Sequence, residues 1–132
     1  MPTLEELESE VWPAPDFDSH LVVTCHQLRK KPSNAFTNED LRIMIGQNIG
    51  LPFLMPKAIT VLEGNPLAEG DFYSGDLLKN VTSVDSSFYD RSPELLDRVV
   101  LITKRAIDLL QSSPSDADLV QGFQRFVDKT AT

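Results

Sequence analysis

The sequence predicts an all-α protein, a compact single-domain bundle of about six to seven helices packed around a central apolar helix at about residues 38–49. Three observations carry this expectation. Apolar residues recur at three- and four-residue spacings, and no stretch alternates apolar with polar for long, as a half-buried strand would. Proline, glycine and capping residues cut the chain into pieces of helical length. The 132 residues, with no internal repeat, low-complexity stretch or long linker, suit one domain spanning 1–132, large enough to hold a core without disulfides or metal.

Each element has its own signal. Thr3 caps LEELESEVW, with Glu6 at capping-box spacing, and Pro13 and Pro15 end it. Asp16 or Asp18 opens DSHLVVTCHQLRKK, where Leu21, Val22, Cys25 and Leu28 make one apolar stripe. Arg29, Lys30 and Lys31 suit the negative end of that helix, and Pro32 follows. Thr37 caps NEDLRIMIGQNIG, with Glu39 and Asp40 in its first turn and Gly50 as a left-handed stop. Leu41, Ile43, Met44, Ile45 and Ile49 make it apolar nearly all round, as only a covered helix would be. Gly46 costs about 1 kcal/mol of helix propensity, which close approach of a neighbour would offset.

Pro56 predicts a turn at 52–55 and a helix from Pro56 to Glu63, stopped at Gly64-Asn65-Pro66. PLAEGDFYSG reads as a loop and DLLKNVTSV as a short helix. FYD belongs to another short helix or a loop. Ser92-Pro93-Glu94 starts the longest helix, PELLDRVVLITKRAIDLLQSS. Ser115 caps the last one, with Leu119, Val120, Phe123, Phe126 and Val127 on its apolar face.

Composition narrows function. Formal net charge is −8, which argues against nucleic acid as a partner and points either to solubility, through solvated helix faces, or to a basic partner. Acids gather in two segments. Residues 1–28 hold Glu5, Glu6, Glu8, Glu10, Asp16 and Asp18 with no Lys or Arg, and residues 63–97 hold eight acids against Lys79 and Arg91. Neither a signal-peptide pattern nor an apolar run near the roughly 20 residues of a membrane span is evident, so a cytoplasmic protein without membrane contact is expected, in keeping with the lone Cys25.

No catalytic constellation emerges. Cys25 lies in an apolar stripe, about 140° round the helix from His20, and reads as a buried structural thiol. Four metal ligands cannot be assembled, and no phosphate-binding glycine fingerprint is present. The expectation is a non-enzyme with no cofactor and no metal. Two features stand out. Arg42, Gln47 and Asn48 are polar on an apolar helix, and they form either an internal hydrogen-bond network or the lining of a partner groove. The loop Glu69-Gly70-Asp71-Phe72-Tyr73-Ser74-Gly75-Asp76 joins acids to adjacent aromatics, which either fold inward or serve as anchors. The candidate partner-binding residues are Glu69, Asp71, Tyr73 and Asp76, with Asp16 and Asp18 as a second acidic group.

The run DLRIMIGQNIGLPFLMPKAITVLEGNPLAEGDFYSGDLL, from Asp40 to Leu78, resembles the central motif of contact-dependent growth inhibition (CDI) immunity proteins. LRIMIGQNIGL and NPLAEGDFY are its most specific parts, and LEELESEVW with DSHLVVTCHQLRKKP resembles that family's opening segment. The resemblance covers roughly the first two-thirds of the chain; the C-terminal helices share only general character. It implies a small helical cytoplasmic protein that binds the C-terminal toxin domain of a delivered effector, often a nuclease, and blocks it. An acidic protein suits the basic cleft of a nuclease, and complementary charge speeds encounter. The alternative is a helical adaptor or regulatory protein-binding domain unrelated to toxins.

Overall fold

The helical punctuation resolves into eight α-helices among the residues described by the computed structural model, which are 3–8, 20–111 and 114–130. This is one more than the upper expectation. In α1, Leu4–Glu8, the Thr3 hydroxyl accepts the Glu6 N–H and donates to the Glu6 carboxylate, both at 3.3 Å, so the expected cap is made. Its expected continuation to Trp12 lies outside the described residues.

Helix α2, His20–Leu28, ends one residue before Arg29. Arg29 is not the solvated cation that the helix end suggested. Its side chain is buried and pairs with Glu8, and its carbonyl accepts the Glu5 N–H at 3.1 Å. A buried cation needs such a partner, and here the requirement docks α1 against the end of α2. Cys25 and Leu28 are buried as expected, and burial pushes the Cys25 thiol pKa up.

Helix α3, Asn38–Gly46, carries a reciprocal capping box. The Thr37 hydroxyl accepts the Asp40 N–H at 3.1 Å, and the Asp40 carboxylate accepts the Thr37 N–H at 3.0 Å. Lys31 reaches the same carboxylate at 2.5 Å. The helix stops at 46, not 49, because Asn48 takes the left-handed conformation at φ 56°. The Asn48 N–H then bonds to the Ile45 carbonyl at 3.0 Å and the Ile49 N–H to the Met44 carbonyl at 2.9 Å, the paired bonds of a Schellman stop. Asn is one of the few non-glycine residues that tolerates this geometry. Gly50 is also left-handed, at φ 66°, but it opens the next helix rather than closing this one. A β-carbon there would meet Leu4 Cδ1 at 2.9 Å.

Helix α4 runs unbroken over Leu51–Gly64, so the turn expected at 52–55 is absent. Pro52 sits in the first turn, where its missing N–H costs nothing. Pro56 removes only the bond to the Pro52 carbonyl. Both prolines are exposed, one turn apart, so water can satisfy that carbonyl. Leu51, Leu54, Met55, Ala58, Ile59 and Leu62 are buried along this helix. The centre of the bundle is therefore shared between α3, through Leu41, Met44 and Ile45, and α4.

Short helices α5, Asp76–Thr82, and α6, Ser86–Arg91, follow. The expected Ser92-Pro93 start opens α7, Pro93–Leu110, the longest element. Its Arg98 forks onto the Glu63 carboxylate at 3.0 and 2.6 Å, and Arg105 donates to the Glu63 carbonyl at 3.0 Å, tying α7 to the end of α4. A 3-10 turn at Pro114–Asp116 leads into α8, Ala117–Thr130, which folds back on α7 and also packs on α5. Phe123 and Val127 complete the core. Tyr89 of α6 is buried edge-to-face against Phe88 and Phe126, and its hydroxyl donates to the Val81 carbonyl at 2.5 Å.

Ile45 is 1 % exposed between α3 and its neighbours. Ile45→Ala is expected to lower unfolding free energy by about 2–5 kcal/mol, read from urea denaturation. A loss below about 1 kcal/mol would mean that α3 is peripheral to the core.

Candidate functional site

The segment between α4 and α5 has no regular structure beyond one antiparallel bridge, Glu69 with Ser74, yet its backbone is held at nearly every step. The holder is Asp76, the first residue of α5, which is 2 % exposed. Its Oδ1 accepts the Gly70 N–H at 2.7 Å, and its Oδ2 accepts the N–H groups of Phe72 at 3.1 Å and Tyr73 at 3.4 Å. A buried carboxylate is tolerable only with such donors around it, and here the loop wraps the charge to supply them.

A second carboxylate supports the loop from α3. Glu39 Oε1 accepts the Asp71 N–H at 2.9 Å. Both Glu39 oxygens also accept from Arg42, from Nε and Nη2 at 2.6 Å each. Arg42 Nε lies 3.9 Å from Asp76, so one guanidinium stands between two acids under the loop. The Arg42 fork, then the Asp71 amide, hold the Glu39 carboxyl below its usual pKa against the opposing effect of partial burial. Glu39, in turn, raises the pKa of Arg42. Gly70 leaves room for this network: a β-carbon there would lie 2.6 Å from Glu39 Oε1 and 3.1 Å from Asp76 Oδ2, so any side chain would have to displace a paired carboxylate.

Of the polar residues noted on α3, Arg42 thus joins an internal network. Its carbonyl accepts from Asn80 Nδ2 at 2.8 Å, and Asn80 lies over Gly46, whose β-carbon would meet it at 2.7 Å. Asn48 Oδ1 accepts the Asp85 N–H at 3.1 Å, and Gln47 is exposed at the helix end.

The upper side of the loop faces solvent. Neither aromatic folds inward: Phe72 is 69 % exposed and Tyr73 38 %. The Phe72 ring lies over Arg42, with the guanidinium carbon 4.0 Å from the ring centroid. Tyr73 borders a groove of about 490 Å³ between α5 and α8, shared with Lys79, Asp118, Leu119, Phe123 and Arg125. Glu69 and Asp71 are exposed, and the Ser74 hydroxyl donates to Glu69 at 2.9 Å. The structure therefore brings Glu69, Asp71 and Tyr73 onto one surface and puts Asp76 beneath them as the residue that shapes the loop. Asp16 and Asp18 lie outside the described residues. Reading the sequence missed Glu39, which looked like an ordinary first-turn acid. The available signal was its three-residue spacing to Arg42, which puts both side chains on one helix face.

Among the described residues no group of three or more His, Cys, Asp or Glu side chains is placed to hold a metal ion, and no helix is long and apolar enough to cross a membrane. What the site offers is a shaped loop on which Glu69, Asp71, Phe72 and Tyr73 are exposed.

The depressed pKa of Glu39 fixes the sign of a pH effect. Its contribution is complete above the ordinary carboxyl value of 4.5 and is lost as pH falls through the lower folded-state value. Amide-exchange protection at Asp71 is expected to hold from neutral pH down to about 4.5 and to fall below it, and Glu39→Gln, whose amide oxygen still accepts but cannot hold the Arg42 fork, is expected to lower protection and to abolish its pH dependence. Asp76→Ala leaves the loop N–H groups without their acceptor and is expected to cost about 1–3 kcal/mol in thermal or urea unfolding.

The family model described as CDI immunity proteins matches residues 6–99. No curated protein and no solved structure matches the chain. The matched span includes α3, α4 and the whole loop with both of its supporting carboxylates. The chain belongs to the family of CDI immunity proteins.

Proposed function

We propose that this protein binds the C-terminal toxin domain of a CDI effector in the cytoplasm, and that it neutralises a nuclease by covering its active-site cleft. Family membership carries the first part, since an immunity protein implies a cognate toxin. The loop supports the second. Glu69 and Asp71 are exposed there above Glu39 and Asp76, which flank Arg42, while Lys79 and Arg125 lie on the Tyr73 side. A nuclease cleft must be basic to hold a phosphate backbone, and an acidic surface of fixed shape can occupy it in place of substrate. The net charge of −8 adds long-range attraction. In this reading the protein performs no chemistry; Glu69 and Asp71 face cationic groups of the toxin, and Tyr73 contacts the cleft wall.

The test is binding of the full chain to the candidate toxin domain encoded beside it, together with protection of cells that express that toxin. The double change Glu69→Gln and Asp71→Asn removes exposed charge without touching the Asp76 support. Association is expected to slow by about tenfold at low salt, with the difference shrinking as salt rises. An unaltered association rate would remove the loop acids from the interface. Failure of the unmodified protein to bind or protect would overturn the immunity reading itself.

A further inference from the structure

We infer that Phe72 is the aromatic anchor of the partner interface, inserting into an apolar pocket rimmed by Lys or Arg on the toxin domain, and that Arg42 is the positioning residue that holds its ring ready. This rests on the immunity reading above and names the side chain that carries the affinity.

A phenyl ring that is 69 % exposed contributes little to the core, and burying it is worth most when a partner supplies the other wall. Such a ring on an ordinary loop would be mobile, and ordering it would reduce affinity. Phe72 is fixed twice over. Its own N–H is held by Asp76 at 3.1 Å, and the preceding Asp71 N–H by Glu39 at 2.9 Å. Its ring rests on Arg42 at 4.0 Å, and that guanidinium cannot swing, because Nε and Nη2 both bond to Glu39 at 2.6 Å. One face of the ring is thus occupied by a cation while most of the residue stays exposed. This is the preorganised aromatic geometry that binding surfaces use. Exposed Glu69 and Asp71 precede it in the same loop, so the matching pocket has an apolar floor and a cationic rim. Tyr73, the ring that the loop's sequence singles out, is more covered and turns toward the α5–α8 groove.

The experiment measures affinity of the full chain for a catalytically inactive form of the toxin domain encoded beside it, by calorimetry, for Phe72→Ala, Phe72→Trp, Arg42→Lys and the double variant Phe72→Ala/Arg42→Lys. Phe72→Ala is expected to leave the melting temperature unchanged and to weaken binding by about 30-fold, with Phe72→Trp restoring most of the loss. Arg42→Lys keeps the charge but loses the planar fork, and is expected to weaken binding about two- to fivefold. If Arg42 acts through the ring, adding Arg42→Lys to Phe72→Ala causes no further loss; a merely structural role would give additive losses. Wild-type-like affinity of Phe72→Ala, in a complex that the unmodified protein forms, overturns the anchor and leaves the immunity reading standing. Additive losses overturn the positioning role of Arg42. No binding by the unmodified protein overturns both readings together.

Discussion

One buried carboxylate sets the shape of the candidate surface. Asp76 begins α5 with its side chain turned inward, where an ionised oxygen is tolerable only among donors. The donors come from the segment just before it, so the chain between α4 and α5 closes over its own charge. Arg42 arrives from α3 to balance the acids, and Glu39 fixes Arg42. An irregular segment thereby acquires the rigidity that helices obtain from their own hydrogen bonds. The small residues and the acids of this loop have separate duties: Gly70 makes room, Asp76 shapes, and Glu69 and Asp71 meet solvent.

The platform under the loop depends in turn on the α3–α4 corner. The Asn48 stop turns the chain after one short helix, and Gly50 starts the next with Leu4 packed beside it. Met44, Ile45, Leu54 and Met55 can then share one centre, and Asn80 seats α5 against α3 over Gly46. Arg42 occupies the face of α3 turned toward the loop, so the geometry of the candidate surface is inherited from core packing two elements away.

Most of the architecture could be read in advance because it rests on local chemistry. Thr3, Thr37 and Pro93 mark helix starts through groups they offer or lack on their own turn. The errors arose where two local rules competed. Asn48 and Gly50 can each end a helix, and only the turn geometry decides between them. Pro56 breaks a helix whose carbonyls are buried but not one whose proline face is wet. The site was legible as a segment and illegible as an arrangement. Its acids and rings are adjacent in sequence, whereas the distinction between a shaping carboxylate and an exposed one depends on Glu39 and Arg42, some 30 residues earlier. The burial of Arg29 was hidden for the same reason, since its partner Glu8 lies on another helix.

The family match stops at residue 99, inside α7, which continues without interruption to Leu110. The limit of shared sequence is therefore not a seam in the protein. Ile102, Ala106, Phe123 and Val127 lie beyond it and are buried with Leu77, Leu78 and Tyr89 from within it. Phe126 of α8 meets Tyr89, and Leu119 lies against Gly75, where the loop enters α5. The C-terminal hairpin thus completes a core that the matched segment alone would leave open. The groove beside Tyr73 is likewise built from both sides of that limit, by Lys79, Thr82 and Ser83 within it and by Asp118, Leu119 and Arg125 beyond it.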